Sequence, residues 1–246
     1  MDGLDARGSA LRIESGSGLW DVASLDRVDH RGVDWPRVDR SAYLLHQRLQ
    51  YDYTRPITHL RHRLVITPPS AHGDQHLLHR CIRISPAVGV IRAERTDQFG
   101  NVILDVRARR VQRSITFEAW FIIERQGPTG PYREPAHPHD RIFLGPTHLT
   151  TPDQAMREVA ASLMASGDRG ATLAGLVNRW VHDHMHYRFG ATGVHTDAAT
   201  ALRFGTGVCQ DYAHIMLTLL RLCGIPARYV SGHLLGEGGS HAWVEA

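Results

Sequence analysis

The sequence changes character at a proline-dense stretch between residues 127 and 150. Its prolines are Pro128, Pro131, Pro135, Pro138 and Pro146. Proline removes a backbone donor and clashes inside a helix, so this stretch predicts an extended linker. Strand-like patterns precede it and helical patterns follow it. We therefore predict an α+β protein in which residues 127–150 join two domains.

Short β-type runs fill residues 39–126, the predicted N-terminal domain. Apolar and polar residues alternate within them, and turn signals such as Pro68-Pro69 separate them. The predicted strands are Tyr43–Tyr53, Leu60–Thr67, Leu77–Ser85, Asn101–Arg107 and Ile115–Ile123. The pattern predicts an antiparallel β-sandwich-like domain. Residues 1–38 are rich in Gly, Asp, Ser and Arg and predict a poorly ordered lead-in.

Helical spacing begins after the linker, in residues 151–246. A capping signal at Thr151-Pro152-Asp153-Gln154 predicts a first helix that ends near Gly167. A second helix is predicted from Thr172 to Tyr187. A third begins at or just before Cys209 and stops at Gly224. Two strands close the sequence, predicted at Ala227–Leu235 and His241–Ala246.

Composition excludes several classes of partner and site. The 28 basic and 25 acidic residues give a net charge of +3 without charge blocks, so no nucleic-acid partner is expected. No apolar run is long enough to span a membrane, and Met1–Ser17 lacks the apolar core of a secretory signal. We therefore expect a cytoplasmic protein without a membrane partner. Its oligomeric state is left open.

One cysteine stands where a glycine-rich loop turns into a helix, in Gly205-Thr206-Gly207-Val208-Cys209. Free amides and the positive end of the helix dipole stabilise a thiolate there, and the same amides can hold an oxyanion. We predict Cys209 as the nucleophile and His241 as its base. His214 lies roughly 140° round the same helix and points elsewhere. His233 is kept as an alternative base.

Other candidate groups have simpler structural interpretations. Cys81 and Cys223 are expected in the core, and no C-x-x-C pair indicates zinc or a redox site. The spacing of His182, His184 and His186 does not let three ligands converge, with His184 on the apolar stripe, so neither metal nor cofactor is predicted. Three further residues each have two open interpretations. Gln210 and Asp211 either cap the helix or touch substrate, and Trp243 either packs on the His241 imidazole or walls the substrate.

Three segments together resemble the core of the transglutaminase-like superfamily. They run from Gly207 to His214 (GVCQDYAH), from Leu220 to Gly232 (LRLCGIPARYVSG) and from His241 to Glu245 (HAWVE). The upstream sheet region, including Asp97-Gln98-Phe99-Gly100-Asn101, resembles the β domain of bacterial members. The resemblance implies a papain-like α+β core with a Cys-His-Asp triad. It places Cys209 and His241 in the first two roles.

The triad acid has no counterpart in the sequence. In the family it is an Asp on the strand after the histidine, and only five residues follow His241. Glu245 is no substitute, because four residues of extended strand place it about 13 Å away. We therefore expect a C-terminally incomplete chain, in preference to a natural variant.

The resemblance implies a bacterial-type cysteine protease, amidase or acyltransferase. It implies that a peptide or protein amide is attacked through a thioester on Cys209, and we expect water to be the acceptor. The alternative hypothesis is a non-catalytic binding module that keeps the fold and lacks the triad acid.

Overall fold

The computed structural model describes residues 12–15, 18–21, 30–86, 89–127, 140–235 and 238–246. It forms two compact units, residues 1–134 and 135–246. The division falls inside the stretch predicted as a linker, of which residues 128–139 lie outside the described part. Residues 140–150 are structured and belong to the second unit, with 3-10 turns at Asp140–Phe143 and His148–Thr150.

The first unit consists of antiparallel strands. They are β1 (Arg12–Ser15), β2 (Gly18–Asp21), β3 (Arg40–Asp52), β4 (Ile57–Thr67), β5 (Ala71–His72), β6 (Gln75–Ser85), β7 (Val90–Thr96), β8 (Val102–Val111) and β9 (Ser114–Gln126). One sheet has the order β3-β9-β6-β5 and another the order β4-β8-β7, while β1 and β2 form a separate hairpin. That hairpin lies within the predicted lead-in; residues 1–11, 16–17 and 22–29 lie outside the described part.

The two larger sheets share a core, which makes this unit a sandwich. Leu64 and Val106 come from the β4-β8-β7 sheet, and Ile115 and Phe117 come from β9 of the other sheet. All four side chains are buried in one apolar cluster. The predicted antiparallel sandwich-like domain is thereby confirmed.

The second unit combines helices with short strands. Its elements are α1 (Gln154–Met164), α2 (Gly170–His184), β10 (His186–Tyr187), α3 (Ala198–Phe204), β11 (Thr206–Gly207), α4 (Cys209–Leu222), β12 (Arg228–Gly232) and β13 (His241–Glu245). β10 and β11 pair in parallel, and β12 and β13 form an antiparallel hairpin. The helix α2 ends three residues before its predicted end, because Met185 is extended at φ −122° and ψ 140°.

The helix α4 is the centre of the second unit. The other helices and the β12-β13 hairpin pack around it, and Ile215, Leu219 and Leu220 are fully buried in the shared apolar cluster. Arg221 anchors its C-terminal end, where Nε donates to the Phe143 carbonyl at 2.8 Å and Nη2 to the Ala227 carbonyl at 2.9 Å. The α+β fold class is confirmed, and α4 becomes a rigid support for its first residue. Across the described residues, none of the helices is both long and apolar enough to cross a bilayer.

Candidate active site

Cys209 is the first residue of α4 and carries a free, half-buried thiol. The preceding Val208 is extended, with φ −110° and ψ −178°, and its carbonyl accepts the amides of Asp211 and Tyr212 at 2.9 and 3.2 Å. Helix geometry leaves the amides of Cys209 and Gln210 without intrahelical acceptors. These two N–H groups can therefore donate to an anion that forms at the sulfur.

The carboxylate of Asp211 holds the first turn of α4 in place. Its Oδ2 accepts the Val208 amide at 2.7 Å and the Thr192 hydroxyl at 2.6 Å, and the residue is only 1% exposed. A β-carbon on Gly207 would lie 2.5 Å from that oxygen, so glycine is needed there for steric reasons. Asp211 thus caps the helix, which is one of its two predicted roles.

The loop between β10 and α3, residues 188–197, is tied to this helix start. The Arg188 amide donates to the Gly207 carbonyl at 2.8 Å, and the Gln210 side-chain amide to the Val194 carbonyl at 3.3 Å. Thr192 adds its bond to Asp211. Sequence reasoning missed Thr192, because 19 residues separate it from Asp211 and Thr192 lies in a loop without a periodic pattern.

A buried polar cluster lies on α4 one turn beyond Asp211. His214 is 7% exposed, and burial lowers the pKa of its imidazole, against the opposing effect of the Asp211 charge. Its ring contacts Tyr229 with the centroids 5.4 Å apart. Burial raises the pKa of Tyr229, and the charges of Cys209 and Asp211 add to that. Among the described residues, His214 Nδ1 and Asp211 Oδ1 are buried without a hydrogen-bond partner, which suits a bridging water.

The β12-β13 hairpin runs along α4, from its C-terminal end towards His214. β12 leaves the C-terminal end of the helix at Ala227 and runs towards its start, since Tyr229 contacts His214. Gly232 is paired directly with His241.

The contact between the predicted nucleophile and its base is not part of this arrangement. Within the described residues, no hydrogen bond joins Cys209 to His241. Strand alternation places His241 and Trp243 on one face of β13, whereas Val244, on the other face, packs against the helical core. His241 is the first residue of β13 and is paired with Gly232, the last residue of β12. Its role as the base stays a prediction.

The residues around His241 include His233, the alternative base, together with Trp243 and Glu245. His233 follows Gly232, the partner of His241 in the hairpin, and burial together with His241 lowers the pKa of His233. The Trp243 ring covers Gly232, where a β-carbon would overlap it. Glu245 binds Arg228 Nε at 2.8 Å, at the end of the hairpin opposite to His241. That pairing agrees with the expectation that Glu245 is not the acid that orients the histidine.

The histidine series at the end of α2 serves local packing. His184 is exposed, not on the buried stripe as predicted, and its ring stacks on Trp180 with the centroids 4.0 Å apart. His182 pairs with the adjacent Asp183 at 3.0 Å. In the part of the chain that the structure describes, no three potential ligands converge on a metal position.

A cavity of about 590 Å³ beside the start of α4 was not predicted. Its lining residues are His182, Asp183, Met185, His186, Tyr187 and Tyr212. They come from the end of α2, from β10 and from α4. Because the cavity arises from the packing of three elements, no single sequence pattern could reveal it.

Comparisons with known proteins agree with this architecture. The family profile described as the Transglutaminase-like superfamily matches residues 157–246, and that of the Bacterial transglutaminase-like N-terminal region matches residues 43–124. An uncharacterized protein of Mycobacterium leprae is 32% identical over 216 residues, which cover 80% of this chain and 76% of that protein. The protein-glutamine gamma-glutamyltransferase of Pseudomonas aeruginosa is 34% identical over 89 residues, 30% of this chain and 13% of that enzyme.

A solved structure shares the fold. The crystal structure of a candidate cysteine protease from Cytophaga hutchinsonii superposes with a TM-score of 0.69 at 19% identity, and covers 84% of this chain and 73% of that one. The superposition includes most of both units and shows the similarity of fold.

Proposed function

Because the chain belongs to the transglutaminase-like superfamily, we propose that it is a thiol enzyme that attacks amide bonds with Cys209. The observation that carries the proposal is the position of Cys209 as first residue of a buried, tightly capped helix. That position offers two free amides to a developing negative charge. The carboxylate that caps the turn is bonded to Val208 and Thr192.

The proposed reaction has two steps. His241 takes the thiol proton, and the Cys209 sulfur bonds to the amide carbon while the oxyanion is held by the Cys209 and Gln210 amides. The C–N bond then breaks, the amine leaves with the proton from His241, and a thioester remains. Water attacks the thioester while His241 takes one of its protons. The C–S bond then breaks, the carboxylic acid leaves, and His241 returns the proton to the sulfur to regenerate the thiol. We propose water as the acceptor because it needs no second binding site.

Alkylation with iodoacetamide, followed by peptide mass mapping, tests the proposal. Modification of Cys209 that stays fast below about pH 8, under the ordinary range for a thiol, is the expected result. Cys223 serves as the internal control, because burial raises the pKa of its thiol. A Cys209→Ala variant checks the assignment of the labelled peptide. If Cys209 reacts no faster than Cys81 and Cys223, the non-catalytic binding module becomes the better description.

A matched pair of variants tests the base. His241→Gln is expected to slow the alkylation of Cys209 at neutral pH, whereas His233→Gln leaves it within about twofold. The two histidines are neighbours on the same hairpin, so a general disturbance of the hairpin would affect both variants alike. A slow His233→Gln beside an unchanged His241→Gln would assign the base to His233.

A further inference from the structure

The cavity of about 590 Å³ lies at the flank of the predicted nucleophile. Tyr212, in its wall, is three residues after Cys209 on α4, and side chains at that spacing are neighbours on a helix surface. Tyr187, also in the wall, is paired with Gly207 in the parallel β10-β11 bridge, two residues before Cys209. A group bonded to the Cys209 sulfur is therefore within reach of the cavity. Its volume lies in the range of small-molecule sites.

Three of the six lining residues, Met185, Tyr187 and Tyr212, are apolar or aromatic. Met185 is buried, and the rings of Tyr187 and Tyr212 lie 6.3 Å apart at 40°. Burial raises the pKa of Tyr212, so its phenol stays neutral across the physiological range. The other three lining residues, His182, Asp183 and His186, are polar and exposed, and the first two are bonded to each other. The interior thus favours a neutral, apolar guest.

Two exposed apolar residues lie on the loop before α3, which is tied to the start of α4. Phe189 is 91% exposed and Val194 is 70% exposed. Hydrogen bonds from Arg188 to Gly207 and from Gln210 to Val194 hold these positions near the start of the helix. Exposed apolar residues grouped around a reactive position mark binding surfaces.

We propose that this cavity is the subsite for a large apolar side chain, aromatic or branched aliphatic, next to the amide that Cys209 attacks. The proposal rests on the proposed function, in that Cys209 is the nucleophile. The side chain lies against Met185 and the faces of Tyr187 and Tyr212, while the adjoining carbonyl reaches the sulfur. Burying such a side chain raises the acylation rate roughly tenfold or more over glycine.

Peptidyl chloromethyl ketones test the subsite without requiring turnover. The Cys209 sulfur displaces chloride from the reagent and forms a thioether, and the thiol proton leaves to solvent. Reagents with Phe, Leu, Gly, Lys or Asp beside the reactive group are compared by their second-order rates at Cys209. Each rate is divided by the iodoacetamide rate of the same variant. We expect the Phe and Leu ratios to exceed those of Gly and Asp about tenfold.

Substitutions in the lining test whether the preference for the Phe and Leu reagents arises in the cavity. Tyr187→Ala, at a position that is 63% exposed, is expected to lower the Phe ratio several-fold, while Tyr187→Phe keeps it. Tyr212→Ala should also lower the Phe ratio. Met164→Ala, at the exposed end of α1 and outside the lining, is the control and leaves the ratio unchanged.

Two results would overturn the subsite alone. Equal ratios for all five reagents, with fast alkylation by iodoacetamide, would show that the cavity does not select. A preference for Lys that Asp183→Asn abolishes would show a cationic guest instead. Slow alkylation of Cys209 by iodoacetamide would remove the proposed function and the subsite together.

Discussion

At the residue scale, Asp211 Oδ2 makes the central contacts of the site, because it accepts hydrogen bonds from both the Val208 amide and the Thr192 hydroxyl. Asp211→Ala leaves two donors without their acceptor and should lower the free energy of unfolding by roughly 2 kcal/mol or more. Asp211→Asn keeps one carbonyl oxygen that can accept both bonds, so it should lose less than half of that. Urea denaturation measures the stability, and iodoacetamide labelling reports the turn at Cys209.

The comparison of these two variants separates hydrogen bonding from charge. If Asn is as damaging as Ala, the negative charge and not the acceptor geometry holds the turn. If neither variant changes stability or labelling, the capping role is wrong.

The buried imidazole of His214 predicts a pH dependence of stability. Its pKa is lowered by burial from 6.5, with Asp211 raising it and Arg221 lowering it further. The unfolded chain therefore binds more protons than the native one as the pH falls through about 6.5, so the free energy of unfolding decreases there. Above that range the contribution is fully present. Urea titrations at pH 7.5 and about pH 5.5, with helical circular dichroism as the signal, should show a smaller free energy of unfolding at the lower pH.

His214→Gln should reduce that loss, although His233, whose pKa burial also lowers, still contributes. The exposed His182 provides the control, since His182→Gln removes an imidazole without removing a buried one. An unchanged difference between the two pH values in His214→Gln would assign the titration to another group.

At the scale of elements, the junction of β11 with α4 depends on glycine at one position. Gly207→Ala would place its β-carbon 2.5 Å from Asp211 Oδ2, so the carboxylate must move. We expect a loss of about 1–3 kcal/mol and slower alkylation of Cys209. Gly193→Ala, in the neighbouring loop, meets no atom within 4 Å and is the matched control. Equal effects of the two substitutions would show that backbone freedom, not contact with Asp211, makes Gly207 necessary.

The elements that sequence patterns predicted are those with a clear apolar face. β4, β9 and α4 each bury one side or more, and the strand and helix periods reveal them. β7 was missed because six of its seven residues are exposed, which leaves no alternation to detect. α3 has only seven residues, fewer than two full turns beyond its cap, so its period is too short to recognise.

The candidate site likewise has one part that sequence patterns predict and another part that they do not. Cys209 at a helix start follows from local signals, namely a glycine loop followed by a helical period. The bond from Thr192 to Asp211 and the cavity that Tyr187 and Tyr212 line depend on tertiary packing, which leaves no mark on a single stretch of sequence.

At the scale of the whole molecule, the two units have separate cores. The cluster around Val106 and Phe117 draws on the sandwich, and the cluster around Leu219 draws on residues of the second unit, from Met156 onward. Among the described residues, neither core includes a side chain of the other unit. A compact unit with its own core is expected to fold by itself.

Residues 135–246 expressed alone should therefore unfold cooperatively and keep the alkylation rate of Cys209 within about twofold of the full chain. The reason is that the contacts which define the site, from Thr192 to His241, all arise inside this unit. Circular dichroism in urea measures folding, and Leu219→Ala in the fragment is the control that must lower the midpoint, since truncating a buried leucine costs about 2–5 kcal/mol. A folded fragment with slow Cys209 would show that the sandwich contributes to reactivity. An unfolded fragment would show that it contributes to stability.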